Sequence, residues 1–222
     1  NLTMPNKNKI VELLDDLSPE AQLIGAVNTV LNDNGKLIGY NTDGYGFMQS
    51  VRDAGHDITG KNITVMGVGG ASMAICAQSA LDGAAIFARR TSRYWNRTQK
   101  FAENLSAKTG CQVCLFDNDD HTALRDSIAQ SYLLINATSV GMVPDIDDTI
   151  IKDTSLFHPE LVVADVVYEP QETRLLREAK AAGCQTFNGM YMLLHQGAKA
   201  FQIWTGQEMP VSVIKEKYFS VK

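Results

Sequence analysis

The stretch Ile63-Thr64-Val65-Met66-Gly67-Val68-Gly69-Gly70-Ala71-Ser72 constrains this chain more than any other. A four-residue run of this kind is too short for a helix and suits a buried strand. The glycines after it permit a tight turn into a helix that opens on small residues. From there short apolar runs alternate with helical patterns. Strands are predicted at residues 63–66, 84–87, 112–116, 132–135, 161–167 and 186–187, and helices at 71–81, 97–107, 121–130 and 172–182. Such alternation predicts an α/β fold, a parallel sheet covered by helices on both faces. The interval between Asp82 and Phe87 looks about two residues short for a loop plus a strand.

Composition narrows the class further. Of 222 residues, 45% are hydrophobic and 20% charged, which excludes a disordered or collagen-like chain. Twenty Lys and Arg against 25 Asp and Glu leave a net charge of -5, so a basic nucleic-acid surface is not expected. There is no run of 18 apolar residues, so no membrane partner is expected either. Cys76, Cys111, Cys114 and Cys184 read as core thiols of a reducing cytoplasm rather than a disulfide framework. Cys111 and Cys114 have metal-like spacing but no second pair of ligands beside them, so no metal site is expected. The chain opens Asn1-Leu2-Thr3, with neither Met nor signal peptide, and reads as one whose N-terminal part is missing.

The glycine turn carries a chemical expectation. Gly67 serves the turn, and Val68, Gly69, Gly70 and Ala71 bring backbone N–H groups and a helix N-terminus to where a pyrophosphate would lie. Ser72 takes the third glycine position of G-x-G-x-x-G, where a small residue suffices. An NAD-specific site usually places an acid about 20 residues on, at the end of the second strand. Here that position reads Ala88-Arg89-Arg90-Thr91-Ser92-Arg93, with no acid. Arginine can hydrogen-bond a 2′-phosphate that a carboxylate would repel, which favours NADP, with NAD possible. The other reading of this run is a solvated basic turn.

Ahead of this segment, residues 8–24 carry a helical pattern at Ile10, Leu13, Leu14 and Leu17 that Ser18-Pro19 is expected to end. Residues 25–31 and 36–40 read as strands joined by Asn32-Asp33-Asn34-Gly35, a hairpin turn. A helix is predicted at 45–54, and residues 191–204 and 211–218 are helical again. Lys7, Asn28 and Asp43 stand out as polar islands. Singly, each has an ordinary reading: a surface lysine, a hairpin amide and a helix cap.

With their surroundings they form ordered motifs: Asn1-Leu2-Thr3-Met4-Pro5-Asn6-Lys7, Gly25-Ala26-Val27-Asn28-Thr29, Gly39-Tyr40-Asn41-Thr42-Asp43-Gly44 and Gly67-Val68-Gly69-Gly70-Ala71. Asn136-Ala137-Thr138-Ser139-Val140-Gly141-Met142, Asp165-Val166-Val167-Tyr168 and Asn188-Gly189-Met190-Tyr191-Met192-Leu193-Leu194-His195-Gln196 follow. On these seven motifs the chain resembles the shikimate dehydrogenase family, including its shikimate/quinate branch, over essentially its whole length. The resemblance implies a Rossmann domain at 43–187. It also implies the C-terminal part of a substrate domain at 1–42, and helices at 188–222 that return to it. It implies a cytoplasmic enzyme, monomer or homodimer, that reversibly reduces 3-dehydroshikimate to shikimate with NADP in aromatic amino acid (chorismate) biosynthesis.

By the same resemblance Lys7 and Asp43 are the catalytic pair, and Thr3, Lys7, Asn28, Asp43 and Gln196 hold the substrate. Gly67, Val68, Gly69, Gly70 and Ala71 hold the pyrophosphate. Ala88, Arg89, Arg90 and Thr91 meet the adenosine ribose, and Val166, Tyr168 and Gly189 line the nicotinamide side. Oxidising a secondary alcohol by hydride transfer needs a group that takes the hydroxyl proton, and a partly desolvated lysine beside an orienting carboxylate can do so. The alternatives are a quinate/shikimate dehydrogenase using NAD and a non-catalytic nucleotide-binding module.

Some residues depart from the family pattern. Tyr191 stands for a small glycine and His195 for a frequent tryptophan, both expected near the substrate–nicotinamide region. Asn96-Arg97-Thr98 appears at a helix start, whereas the family's Asn-Arg-Thr follows the second strand directly. His56, His121 and His158 are expected at the surface or in loops. Met190, Met192, Leu193 and Leu194 are expected to pack their helix rather than line a site.

Overall fold

A computed structural model describes residues 1–3, 5–90, 95–117 and 119–219, with Arg90 and Trp95 given by their backbone. Two sheets organise it. The smaller has three strands, β1 (Asp16–Leu17), β2 (Thr29–Asp33) and β3 (Lys36–Tyr40), in the order β1-β3-β2. The β2–β3 hairpin turns on Asn34-Gly35, both with positive φ (52° and 97°), the backbone that a two-residue loop between right-twisted strands requires.

The larger sheet holds β4 (Asn62–Met66), β5 (Ala85–Arg90), β6 (Val113–Asp117), β7 (Leu133–Asn136), β8 (Val162–Asp165) and β9 (Gln185–Phe187). All pairings are parallel, in the order β6-β5-β4-β7-β8-β9. Counted from β4 this is 3-2-1-4-5-6, the doubly wound dinucleotide-binding order, whose topological switch lies between β4 and β7. The helices are α1 (Pro19–Ile24), α2 (Asp43–Asp53), α3 (Gly70–Leu81), α4 (Trp95–Thr109), α5 (His121–Gln130), α6 (Arg174–Ala181), α7 (Met190–Thr205) and α8 (Val211–Ile214).

The strand period explains the layers. Ile63, Val65, Leu133, Ile135, Val162 and Ala164 face one core with α1, α2, α3 and α4. Met66, Leu134, Leu161 and Val163 face a second core with α5 and α6. Successive residues of a strand point to opposite faces, so each apolar run supplies both cores at once. Ile135 and Leu134 are fully buried, and truncating either to Ala costs about 2–5 kcal/mol. Among the described residues no helix is long and apolar enough to cross a membrane.

Three local expectations are corrected. Ser18-Pro19 starts a helix instead of ending one: Ser18 Oγ accepts from the Ala21 N–H at 3.3 Å and Pro19 fills the first helical position, where a missing N–H costs nothing. Residues 8–17 form a 3-10 turn (Lys9–Leu13) and the short β1, and Leu13 is exposed. The strand expected from residue 25 begins at Thr29, because Gly25 closes α1 with a left-handed φ of 66°. The segment after Asp82 is not short, since β5 runs six residues, on through Arg90. His56 lies in a loop, one of the two settings expected for it, though not at the surface. It is buried, stacked on Phe187, with Nδ1 2.8 Å from the Tyr132 hydroxyl.

Candidate active site

Asn28 is the junction of the residues expected to hold the substrate. It lies just before β2 and is 2% exposed, so its amide must find partners within the protein. Nδ2 donates to Thr42 Oγ1 (3.0 Å) and to Asp43 Oδ1 (2.9 Å), while Oδ1 accepts from the Thr42 N–H (3.0 Å) and from Thr29 Oγ1 (2.9 Å). Its backbone oxygen accepts from the Leu2 N–H at 2.7 Å, and Val27 N–H donates to the Lys7 oxygen at 2.8 Å. These bonds bring the N-terminal loop, the hairpin and the start of α2 together. Lys7 Nζ then donates to Asp43 Oδ2 at 2.6 Å, across 36 residues of sequence. Both side chains are largely but not wholly shielded, at 22% and 15% exposure. Asp43 is the first residue of α2 rather than its cap. Thr42 holds the cap position, and the Asp43 carboxylate is occupied by Lys7 and Asn28.

A cavity of about 570 Å³ opens onto this pair. Thr3, Lys7, Asn28, Asp43 and Gln196 all line it, with Val166, Tyr168 and Gly189 on the far wall. The five residues expected to hold the substrate are thus brought together. Met192 and Leu193 line it as well, contrary to the expectation that they only pack their helix. Their side chains emerge on the same face of α7 as Gln196, one turn or less away, and Leu193 is exposed.

A second cavity, of about 910 Å³, shares Lys7, Asp43, Ala71, Val166, Tyr168 and Met192 with the first and extends over the glycine turn. Gly67, Val68, Gly69, Gly70 and Ala71 form one wall. Gly67 has φ +118°, and a Cβ there would meet the Ala137 oxygen and Thr138 Cγ2 at 2.9 Å. Ser72 Oγ ties the turn by donating to the Gly67 oxygen at 2.7 Å. A Cβ on Gly69 or Gly70 would meet nothing within 4 Å, so their backbone faces open space. The start of α3 has no side-chain cap and no acid in its first turn, whereas Ser18, Asp120 and Thr173 cap α1, α5 and α6. A helix start left open in this way, beside bare glycine backbone, fits a phosphate-bearing ligand.

The opposite wall comes from the loops after β7 and β8, at and beside the switch point. Thr138, Ser139, Met142 and Val143 line it and were given no role from sequence. The available signal was Asn136 at the end of a fully apolar strand. Its Oδ1 accepts from the Thr138 N–H and hydroxyl, and its Nδ2 donates to Asp165 Oδ1 at 3.0 Å. Asp165 is fully buried and also accepts from the Val167 N–H (2.9 Å) and the Thr173 hydroxyl (2.8 Å). Burial raises its pKa against the pull of those three bonds. Gly189 is required by packing, since a Cβ there would collide with the Val166 oxygen.

The remaining expected residues divide. Ala88 is buried on the glycine-turn face of the sheet. Arg89, one residue on, points to the other face and lines a cavity of about 530 Å³ with Asp119, His121, Arg125 and Lys152. Burial pulls its guanidinium below the usual range, with Asp119 acting in the opposite sense. Arg90 ends β5 beside Asp117, and Thr91, Ser92 and Arg93 lie outside the described residues. Tyr191 does not line the site. Its ring carries Lys215 Nζ at 4.0 Å and meets Phe219. His195 does not line the cavity beside Lys7 and Asp43; its Nε2 lies 3.0 Å from Asp53 Oδ2, and burial lowers its pKa although Asp53 raises it.

Comparison with known proteins agrees with this geometry. The family model for the shikimate dehydrogenase substrate binding domain matches residues 1–30, and that for the shikimate 5′-dehydrogenase C-terminal domain matches residues 189–217. Shikimate dehydrogenase (NADP(+)) of Listeria innocua is 52% identical over 222 residues, covering 99% of this chain and 76% of its own. Quinate/shikimate dehydrogenase of Escherichia coli is 42% identical over 218 residues, covering 97% and 75%. The crystal structure of shikimate 5-dehydrogenase from Listeria monocytogenes, in complex with shikimate and NAD, superposes with a TM-score of 0.92 at 52% identity, covering 97% of this chain and 75% of its own. With relatives this similar along nearly its entire length, the chain belongs to the shikimate dehydrogenase family.

Proposed function

We propose that this protein is an NADP-dependent shikimate dehydrogenase that interconverts 3-dehydroshikimate and shikimate. The observation that carries the reading is the Lys7–Asp43 pair, 2.6 Å apart where the two cavities meet. The substrate's reacting carbon would sit there, with its hydroxyl toward Lys7 Nζ. Lys7 takes the hydroxyl proton in oxidation and returns it in reduction, and Asp43 orients both partners. Thr3 and Gln196 would bind ring hydroxyls. Asn28 has both amide hydrogens engaged by Thr42 and Asp43, so it acts chiefly by aiming the Asp43 carboxylate. When bound, the nicotinamide cofactor supplies the ring that exchanges the hydride. Val68, Gly69, Gly70 and Ala71 would carry its pyrophosphate, Ala88 and the basic run after it the adenosine end, and Val166, Tyr168 and Gly189 its nicotinamide side.

In this reading residues 1–42 belong to the substrate domain, 43–187 to the nucleotide domain, and 188–222 return to the first. The Trp204 Nε1–H bond to the Val30 oxygen, at 2.9 Å, supports that return. The partner is a small molecule, the setting cytoplasmic, and the assembly a monomer or homodimer. Steady-state rates with shikimate and quinate, each with NADP and NAD, test the proposal. The expected result is the highest kcat/KM for shikimate with NADP. A preference for quinate or for NAD would move the chain to the quinate/shikimate branch.

A further inference from the structure

We infer that Asp165 favours the oxidised form of the nicotinamide cofactor, by holding a buried negative charge behind the wall that the nicotinamide would face. The inference rests on the proposed placement of that ring beside Val166, Tyr168 and Gly189. It gives a role to a carboxylate that the proposed reaction leaves unused.

The hydrogen bonds around Asp165 suit a charged group. The side chain is fully buried at the end of β8. Oδ1 accepts from the Asn136 amide at 3.0 Å and from the Val167 N–H at 2.9 Å. The Asn136 oxygen is occupied by the Thr138 N–H at 3.1 Å, so it is the amide hydrogens that face Asp165. Oδ2 accepts from the Thr173 hydroxyl at 2.8 Å, while Thr173 Oγ1 itself accepts from the Leu176 N–H at the start of α6. Three donors converge on the group, which stabilises its ionised form. Among the described residues no ion pair includes Asp165, so no cation neutralises the charge where it stands. Away from water such a charge is weakly screened.

The backbone aims this charge at the site. Val167 gives its N–H to Asp165, and the 166–167 peptide is trans, so the Val166 oxygen points the other way. It points at Gly189, where a Cβ would collide with it. Val166 and Gly189 line the smaller cavity, and Val166, Val167 and Tyr168 the larger. The carboxylate and the negative end of the peptide dipole therefore act on one wall. A nicotinamide ring is a cation when oxidised and neutral when reduced, so only the oxidised form gains from that field. Glu169 also lines the larger cavity, but it is exposed and water screens it.

The test compares the dissociation constants of NADP⁺ and NADPH for the full chain by titration calorimetry, which needs no turnover. Both carry the same phosphates, so a change in phosphate repulsion cancels in the ratio of the two. Asp165→Asn keeps the shape: its oxygen can hold the two N–H donors, and its amide can donate to Thr173 Oγ1. The ratio Kd(NADP⁺)/Kd(NADPH) should rise by roughly tenfold, the scale of one partly screened charge pair. Glu169→Gln should leave it within about twofold. If circular dichroism shows the asparagine variant unfolded, Asp165→Ser takes its place with the same expected rise. An unchanged ratio in the folded Asp165 variant, or an equal rise in Glu169→Gln, overturns the inference and leaves the proposed function standing. A wild type that binds neither nucleotide overturns both, so the two readings fail separately.

Discussion

The two halves of the cleft are made of different material. The proposed substrate side is built from side chains: Lys7, Asn28, Thr42 and Asp43 hold one another through bonds that span up to 36 residues. The proposed nucleotide side is built from main chain: a glycine turn, an uncapped helix start and two loops drawn in by Asn136 and Asp165. A wall of side chains fails when an atom is removed, and a wall of main chain fails when one is added. Specificity for a small polyhydroxylated ring needs individually placed donors and acceptors, whereas a pyrophosphate needs only N–H groups and room.

The largest effect should come from Lys7→Ala. Turnover should fall by roughly 10²–10⁴-fold, the usual range for a general acid–base group, with nucleotide affinity almost unchanged. Near-normal turnover in the folded variant would remove Lys7 from the chemistry and break the contrast at its strongest point. Asp43→Asn keeps the shape and loses the charge that Lys7 and Asn28 address. Its kcat/KM for shikimate should drop by roughly 10–100-fold, as for a hydrogen bond to a charged group, and circular dichroism should show α2 intact.

Additions probe the other side. Gly189→Ala drives a Cβ into the Val166 oxygen and should destabilise the fold by about 1–3 kcal/mol, read as a lower thermal midpoint. Gly69→Ala adds the same methyl to open space. Its midpoint should stay at the wild-type value while NADP binding weakens by roughly tenfold, the cost of about 1.4 kcal/mol of crowding at the pyrophosphate. A Gly69→Ala protein that binds NADP normally would show that the glycine backbone does not approach the ligand.

The smallest effect concerns pH. Burial lowers the pKa of both His56 and His195. Each therefore stays neutral in the folded chain while the unfolded chain protonates first near the ordinary value of about 6.5. Their stabilising contribution is complete above that value and is lost as pH falls through the lower folded one. Thermal midpoints should decline on acidification through this window, by a few degrees, and His56→Gln should flatten the decline. An unchanged slope would mean that His56 is not the group responsible.

The larger sheet was legible because each strand is a short apolar run that feeds two cores, which leaves a strong trace in the sequence. The strand order is not in the period. It follows from which faces the crossover helices cover. Ser18-Pro19 was misread because proline both ends helices and begins them, and only the Ser18 cap bond decides which. Lys7, Asn28 and Asp43 looked ordinary one by one, since the bonds that make them a site join residues 14 to 36 positions apart. Met192 and Leu193 were missed because an apolar residue that lines a cavity and one that packs a core look the same in one dimension. The side of the sheet that Arg89 takes was hidden by the limit of β5, which runs further than its apolar residues indicate.

Helix α2 has two glycines whose surroundings bear on the chemistry. A Cβ on Gly44 would strike the Ala74 oxygen of α3, and one on Gly46 would come within 2.7 Å of the Met192 oxygen and the Gln196 nitrogen of α7. The helix is thus seated at backbone distance against the neighbour that begins at the glycine turn and against the neighbour that carries Gln196. Asp43 stands at its tip. Hydride transfer requires reacting atoms within about 3–3.5 Å, and a misplacement of an ångström is costly. At these two glycines α2 puts no side chain of its own toward either neighbour, so under the proposed function it would work as a gauge block, setting the spacing between proton acceptor and hydride acceptor by close main-chain contact.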